Sequence, residues 1–388
     1  MIREQLERAL CEGRRTLLGI GPMSKNCVDA ALRIAERCKA PFFLIASRRQ
    51  IDSEEFGGGY VNHWNTESLA QYVTERNPKQ NILLSRDHGG PWQNPLEVQR
   101  GLGVSEAMRS AKRSYESDIA SGFRVIHIDP SVSHQGVPGI DTVLERLFEL
   151  YDFCCETAAK LGKEILIEVG AEEQRDSANS VEELDYFASR VGQFCLKNRL
   201  QPASFVVIQT GTRVVETRNV GVLQSWFEKE SQPLQKQILD LLHAAQKHGF
   251  WIKQHNTDYL PDDILALHSN LGIHAANVAP EFAVAETQAI LKICREHGLR
   301  RFEETLLSAS YASKKWEKWM VDGTNASDFD RSVVAAHYVF STPEVEAAKQ
   351  EAVSILEKKN ISLDLLLVEA VEASIERYVR NFGLQAEY

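Results

Sequence analysis

The amino-acid sequence predicts a (β/α)8 barrel followed by a C-terminal helical extension. Eight short apolar runs alternate with stretches of helical periodicity between residues 16 and 278. Several runs are almost unbroken by polar residues, as expected of parallel strands covered on both faces. No Gly-x-Gly-x-x-Gly follows the first run, which weighs against an open doubly wound sheet, the obvious alternative. With 388 residues, the chain is long enough for a barrel of ~250 residues and an extension. The division expected is a barrel over 1–285, then the final barrel helix and extension over 286–388.

In chain order, a charged helix over 2–12 precedes the first strand, 16–21. Residues 26–38 carry helical spacing through Val28, Ala31, Leu32 and Ala35. The second strand, 41–46, is nearly all apolar. A Gly-rich loop, Phe56-Gly57-Gly58-Gly59-Tyr60, follows. It reads as a backbone cradle for phosphate, as a lid, or as a plain turn. A helix over 66–76 leads to the third strand, 81–85. There an apolar run stops in Asp87-His88 and a Gly89-Gly90-Pro91 turn. A helix over 103–121 ends at Gly122, and strand four spans 123–129. The helix over 140–161 ends at Gly162, a good C-cap, before strand five, 163–170. A helix over 180–198, strand six at 204–209, a helix over 232–248 and strand seven at 250–255 continue the alternation. A short helix near 261–269 precedes strand eight, 272–278. From 281 onward the pattern is almost entirely helical, and the Leu- and Val-rich final helix reads as core or an oligomer surface.

Apolar content of 43% and charged content of 25% are ordinary globular values. A net charge of −10 without an offsetting basic block argues against nucleic-acid and anionic-membrane partners. The seven scattered Cys, without a C-x-x-C, read as reduced thiols of a cytoplasmic protein. No apolar run approaches membrane-spanning length, and the N-terminus has no secretory apolar region.

In a barrel, chemistry gathers at the C-terminal ends of the strands. Those ends carry Ser47, Arg48, Arg49 and Gln50 after strand two, Asp87 and His88 after strand three, and Asp129 after strand four. Strand five supplies Glu168, with Glu172 and Glu173 beyond it, and strand six supplies Gln209. His255, Asn256 and Asp258 follow strand seven, and Asn277 and Glu281 follow strand eight. Two imidazoles and a carboxylate on neighbouring strand ends make a site for zinc or a similar divalent ion with an open position. On this reading His88, His255 and Glu168 are metal ligands and Asp87 is the acid/base. Adjacent strand residues point to opposite faces, so Asp87 and His88 share the pocket only where the strand breaks. A lone strand-end His is more often structural, and Glu168 has a buried Lys or Arg partner as its alternative role. His127 alternates in phase with Asp129, and barrel-interior structure is its expected role.

These motifs, in order, resemble the Z-type tagatose-bisphosphate aldolase proteins, which belong with the zinc-dependent class II aldolases and have ketose 4-epimerase relatives. The resemblance covers most of the chain. It rests on Gly19-Ile20, Ala46-Ser47 through Gln50, Phe56 to Tyr60, and Asp87-His88 with Gly90-Pro91. It continues through Ile126-His127-Ile128-Asp129, Ser131-x-Ser133, and His255-Asn256-Thr257-Asp258-Tyr259, similar to the family's His-Ser-Thr-Asp-Tyr. It implies a Zn2+, Mn2+ or Co2+ cofactor and acid/base roles for Asp87, Glu172 and Glu173. It further implies a ketose or ketose phosphate held by Ser47, Arg49, Gln50, Asp129, Gln209, Asn256, Asp258, Asn277 and Glu281. Class II aldolases place a His ligand after strand six, where this chain and the Z-type proteins have Gln. Arg48-Arg49 and Glu281 depart from the familiar Z-type pattern and suggest a different substrate with an anionic group near the two arginines. The expected outcome is aldol cleavage or condensation, or C4 epimerisation. The alternative that the resemblance admits is a non-catalytic subunit supporting a separate aldolase chain, against which Asp87, His88 and His255 favour an enzyme; a homo-oligomer is also expected.

Overall fold

The structure, a computed structural model, describes residues 2–11, 14–133, 136, 138–170, 180–221, 223 and 232–385. The strands are β1 (Leu17–Ile20), β2 (Phe42–Ser47), β3 (Ile82–Gly89), β4 (Val125–Ile128), β5 (Leu166–Val169), β6 (Phe205–Ile208), β7 (Arg213–Val215), β8 (Arg218–Val220), β9 (Trp251–Gln254) and β10 (Ala275–Val278). Eight of them close a parallel barrel in the order β1-β2-β3-β4-β5-β6-β9-β10. β7 and β8 form an antiparallel hairpin between β6 and β9, which the sequence reading did not anticipate. The predicted (β/α)8 barrel and helical extension are therefore both present.

The unbroken apolar runs are explained by burial on both faces. All four residues of β1, β4, β5, β6 and β10 are buried. Helix termini are chemically marked. Ser24 accepts the Cys27 N–H at the start of the helix Lys25–Arg37, and Gly162 ends the helix Ile140–Leu161 in the left-handed region with φ 62°.

Beyond the barrel lie the helices Pro280–His297, Arg300–Ala312, Asp328–Ala335, Pro343–Glu357 and Leu363–Asn381. The expected division at 285 falls inside the first of these. Ile290, Leu306, Leu356 and Leu367 belong to a second apolar core among these helices. Val371, Ile375 and Tyr378 instead join the barrel's own core, and the Phe382 carbonyl accepts the Thr16 N–H at 3.2 Å. The last helix thus returns to the barrel and holds the extension against it. All seven cysteines are free thiols. Among the described residues, no helix is long and apolar enough to cross a membrane.

Candidate metal centre and cavity

β3 does not stop at Ser85 as the apolar run suggests; it continues through Gly89. Its register against β4 shifts between Arg86 and Gly89, which pair with Ile126 and Ile128. One extra residue on β3 makes a bulge, and His88 takes a positive φ of 45°. The bulge, rather than a break, lets consecutive residues serve one face. Asp87 and His88 both line a cavity of about 680 Å³ at the C-terminal mouth of the barrel.

Beside the cavity, side chains from β3, β4, β5 and the end of β9 converge on one another. One ligand atom each from Asp87, His127, Glu168 and His255 lies within 4.8 Å of the others. His255 Nε2 is 3.3 Å from Glu168 Oε1 and 3.6 Å from Asp87 Oδ1. His127 Nδ1 is 3.7 Å from the same Glu168 oxygen and 4.0 Å from the same Asp87 oxygen. Donors arranged tetrahedrally around zinc at its usual bond lengths sit about 3.3–3.6 Å apart. The two imidazoles must be neutral to ligate. Burial holds both pKa values down at about 3, against the pull of Glu168 on His127 and of Asp87 on His255. Two neutral imidazoles and two carboxylates are donor types that suit zinc, manganese or cobalt; His127 Nδ1 also accepts the His88 backbone N–H at 3.2 Å, a bond that it would exchange for the ion.

His127, expected as barrel-interior structure, thus stands among the candidate donors. His88, expected as a ligand, lies beside that group. Its ring centroid is 5.4 Å from that of His127 and 4.9 Å from that of His255. Its Nδ1 is 2.8 Å from Asp129 Oδ2, an oxygen that also accepts from Gln93 at 2.9 Å. Burial disfavours the charged form of Asp129, but the hydrogen bond and charge of His88 outweigh it and hold the carboxyl at about 2.

Asn277 Nδ2 donates to Asp87 Oδ1 at 3.2 Å. Glu168 has a neighbour of each kind weighed for it. Its Oε1 faces the imidazoles, while Oε2 is 2.7 Å from the Lys253 ammonium inside the barrel.

Ser47, Arg49, Gln50, Asp129 and Asn256 line the cavity. Gln209 is buried just beyond β6 and does not reach the cavity wall among the described residues. Asp258 and Glu281 are also absent from that wall. Asp258 Oδ1 accepts the N–H groups of Ala279 and Glu281, at 2.9 Å each, at the start of the helix Pro280–His297. Glu281 binds the Tyr259 N–H, the Tyr378 hydroxyl and Arg377 of the last helix. Their polarity serves a helix end and the attachment of the extension. Arg48 likewise is buried against Asp52 at 2.8 Å and Glu97 at 2.7 Å, so the anion site expected at Arg48-Arg49 is left with Arg49. The Gly-rich loop is a packed turn, since a Cβ on Gly59 would lie 1.9 Å from the Gln50 carbonyl oxygen. Its Tyr60 faces the cavity. Glu172 and Glu173 lie outside the described residues.

The extension also reaches the cavity, through Lys318, Trp319 and Tyr338. From the sequence, Trp316 and Trp319 read as packing or interface residues. The nearness of Lys318, Trp319 and Tyr338 to the mouth depends on how the extension folds back, which no local pattern encodes.

Residues 6–381 match the family D-tagatose-1,6-bisphosphate aldolase subunit GatZ/KbaZ-like. The chain belongs to that family. Among solved structures it is similar to a protein from Sinorhizobium meliloti 1021 described as a probable tagatose 6 phosphate kinase. That pair shares 18% identity and a TM-score of 0.76 over 95% of this chain and 100% of the other. It is also similar to fructose-bisphosphate aldolase from Campylobacter jejuni, with 10% identity and a TM-score of 0.57 over 99% and 94% of the two chains. Fructuronate-tagaturonate epimerase UxaE from Cohnella laeviribosi matches with 12% identity and a TM-score of 0.54 over 95% and 81%. At these identities the shared property is the fold.

Proposed function

We propose that this GatZ/KbaZ-like protein is a metal-dependent enzyme acting on a ketose or ketose phosphate by aldol chemistry, either cleavage and condensation or C4 epimerisation. The observation that carries the reading is the four-donor group of Asp87, His127, Glu168 and His255, which adjoins the cavity through Asp87. The family description, an aldolase subunit, supports the reaction class.

Asp87, His127, Glu168 and His255 would hold the ion, which when bound supplies Lewis-acid polarisation of a carbonyl. Asn277 fixes the Asp87 carboxylate and Lys253 fixes that of Glu168. His88 faces the cavity with Nδ1 held by Asp129. It is therefore assigned the proton transfer at the substrate hydroxyl, exchanging roles with Asp87 relative to the sequence expectation. General acid–base help of this kind is worth ~10²–10⁴-fold. Ser47, Gln50 and Asn256 offer hydrogen bonds to sugar hydroxyls along the wall.

The word subunit in the family description favours a second reading, a non-catalytic chain that supports a separate aldolase. Metal analysis of the purified chain, followed by turnover assays on ketoses and their phosphates, decides between them. One bound divalent ion per chain and turnover are expected. A metal-free, inactive chain that binds a partner aldolase tightly would overturn the enzyme reading.

A further inference from the structure

We infer that Thr212, at the entry to β7, and Asn219, in β8, are positioning residues for the donor His255 and for the loop that runs on from it to Asp258. The functional half of the inference rests on the reading of His255 as a metal ligand. Among the described residues, neither side chain belongs to the cavity wall; both act through the loop's backbone.

β7 and β8 pair antiparallel, with Val214 opposite Asn219. The base of the hairpin is closed by glycine. A Cβ on Gly221 would lie 1.9 Å from the Gly211 carbonyl oxygen, and Gly221 takes a φ of 134°, so no other residue allows this approach. Thr212 and Asn219 stand near that base, and both are buried. Thr212 Oγ1 donates to the His255 carbonyl at 3.0 Å. Asn219 Nδ2 donates to the carbonyls of Asn256 at 2.8 Å and Asp258 at 2.7 Å. The loop's N–H groups are held by other elements. Thr257 donates to the Asn277 carbonyl of β10 at 3.1 Å, and Tyr259 to the Glu281 carboxylate.

The loop requires such support. Asn256 and Tyr259 take φ of 56° and 62°, the left-handed region that L side chains disfavour. His255 and Asp258 are buried, so a carbonyl that lost its donor there would have no water to replace it. The hairpin's donors thereby fix where β9 ends and how His255 presents Nε2 to Glu168, 3.3 Å away. A displacement of about 1 Å is enough to spoil geometry of this kind. The tip of the hairpin is gripped in turn by the extension. The Glu216 N–H donates to the Trp319 carbonyl at 2.8 Å, and the Glu216 carboxylate accepts from the Thr324 hydroxyl. Extension, hairpin and His255 loop therefore form one continuous brace.

Amide hydrogen exchange on the full-length, chelator-treated chain tests the brace without metal or turnover. Asn219→Leu and Thr212→Val keep the approximate volume and remove the donors. Each should speed exchange at the Thr257 and Tyr259 amides by roughly 10-fold, the equivalent of one net hydrogen bond, whereas Thr212→Ser should keep the wild-type rates. Exchange in the helix Lys25–Arg37, on the opposite side of the barrel, should not change, which separates a local effect from general unfolding. Zinc affinity, read by competition with a chromogenic chelator, should fall roughly 10–100-fold in both variants, the range for outer supports of a metal ligand, and should be retained in Thr212→Ser. Exchange at both amides indifferent to Asn219→Leu and Thr212→Val, or Thr212→Ser as disruptive as Thr212→Val, would overturn the positioning role. Zinc bound as tightly by both variants as by wild type would overturn its link to His255. The expected exchange pattern in a chain that binds no zinc would uphold the brace and sink the metal-dependent reading alone.

Discussion

Replacing Lys253 by Met tests the electrostatics beneath the donor group. Lys253 Nζ lies 2.7 Å from Glu168 Oε2, with both side chains essentially inaccessible to water. Its ammonium sits 5.0 Å and 5.9 Å from the ring centroids of Phe43 and Phe205, within the apolar barrel interior. At an effective dielectric of about 20 the attraction at that distance is ~6 kcal/mol, offset by the desolvation of both groups. Removing one partner leaves a buried carboxylate uncompensated, which costs about 3–5 kcal/mol. Met fills the volume of the aliphatic stem, so little of the loss comes from a cavity. Adding Glu168→Leu should recover most of the stability, because a well-packed apolar pair often replaces a buried ion pair at little cost. Urea unfolding of chelator-treated wild type, both single variants and the double variant, followed by circular dichroism, gives the coupling directly. A Lys253→Met loss below about 1 kcal/mol, or a double variant as unstable as the two losses summed, would refute the assignment of Glu168 as a charged, Lys-held carboxylate.

Three further outcomes follow from the same geometry. His127→Ala should abolish metal retention in elemental analysis, whereas His88→Gln should retain the metal and lose turnover; a His88→Gln protein that loses its metal would return His88 to the ligand set. Gly19→Ala would bring a Cβ to 2.2 Å from Asn277 Oδ1, displacing the amide that holds Asp87; a stability loss of about 1–3 kcal/mol from overpacking and reduced kcat are expected, and unchanged kcat would exclude a role for Asn277. Asp258 is pushed up to about 7 by burial and by Glu281, so its contribution to stability is full below its unfolded pKa of ~3.9 and is lost as pH rises toward 7. Asp258→Asn should therefore stand more favourably against wild type at pH 8 than at pH 4 in chemical unfolding, and an equal difference at both pH values would refute the shift.

The barrel was legible because burial on both faces leaves each strand as an apolar run too short for a helix, and eight such runs occur in order. The β7–β8 hairpin was not, since three-residue strands such as Arg213–Val215 carry no measurable alternation. At the site, Asp87, His88, Glu168 and His255 were visible as polar residues ending apolar runs. That signal does not distinguish a residue facing the cavity from one holding the fold together, and Asp258 at a helix start and Glu281 against the last helix are of the second kind. Glu281 had a mark of its own, its place directly after Pro280, a favoured first residue of a helix; Asp258 had none, because it reaches that helix from a distant loop. His127 had a mark as well, its alternation in phase with Asp129. The Arg48–Asp52 ion pair carried no such mark, because the segment is a turn rather than a helix and the four-residue spacing carries meaning only on a helix. Lys318 and Tyr338 had none, because their approach depends on the return path of the extension.

The extra residue in β3 has a consequence for how this barrel tolerates change. A regular strand presents every second side chain to a given face, so each strand end offers the mouth one address. The bulge gives β3 two adjacent addresses, Asp87 and His88, which both line the cavity. Shortening β3 by one residue between Arg86 and Gly89 would remove Asp87 or His88 itself and restore regular alternation around the other. In this segment the count of residues matters as much as their identity.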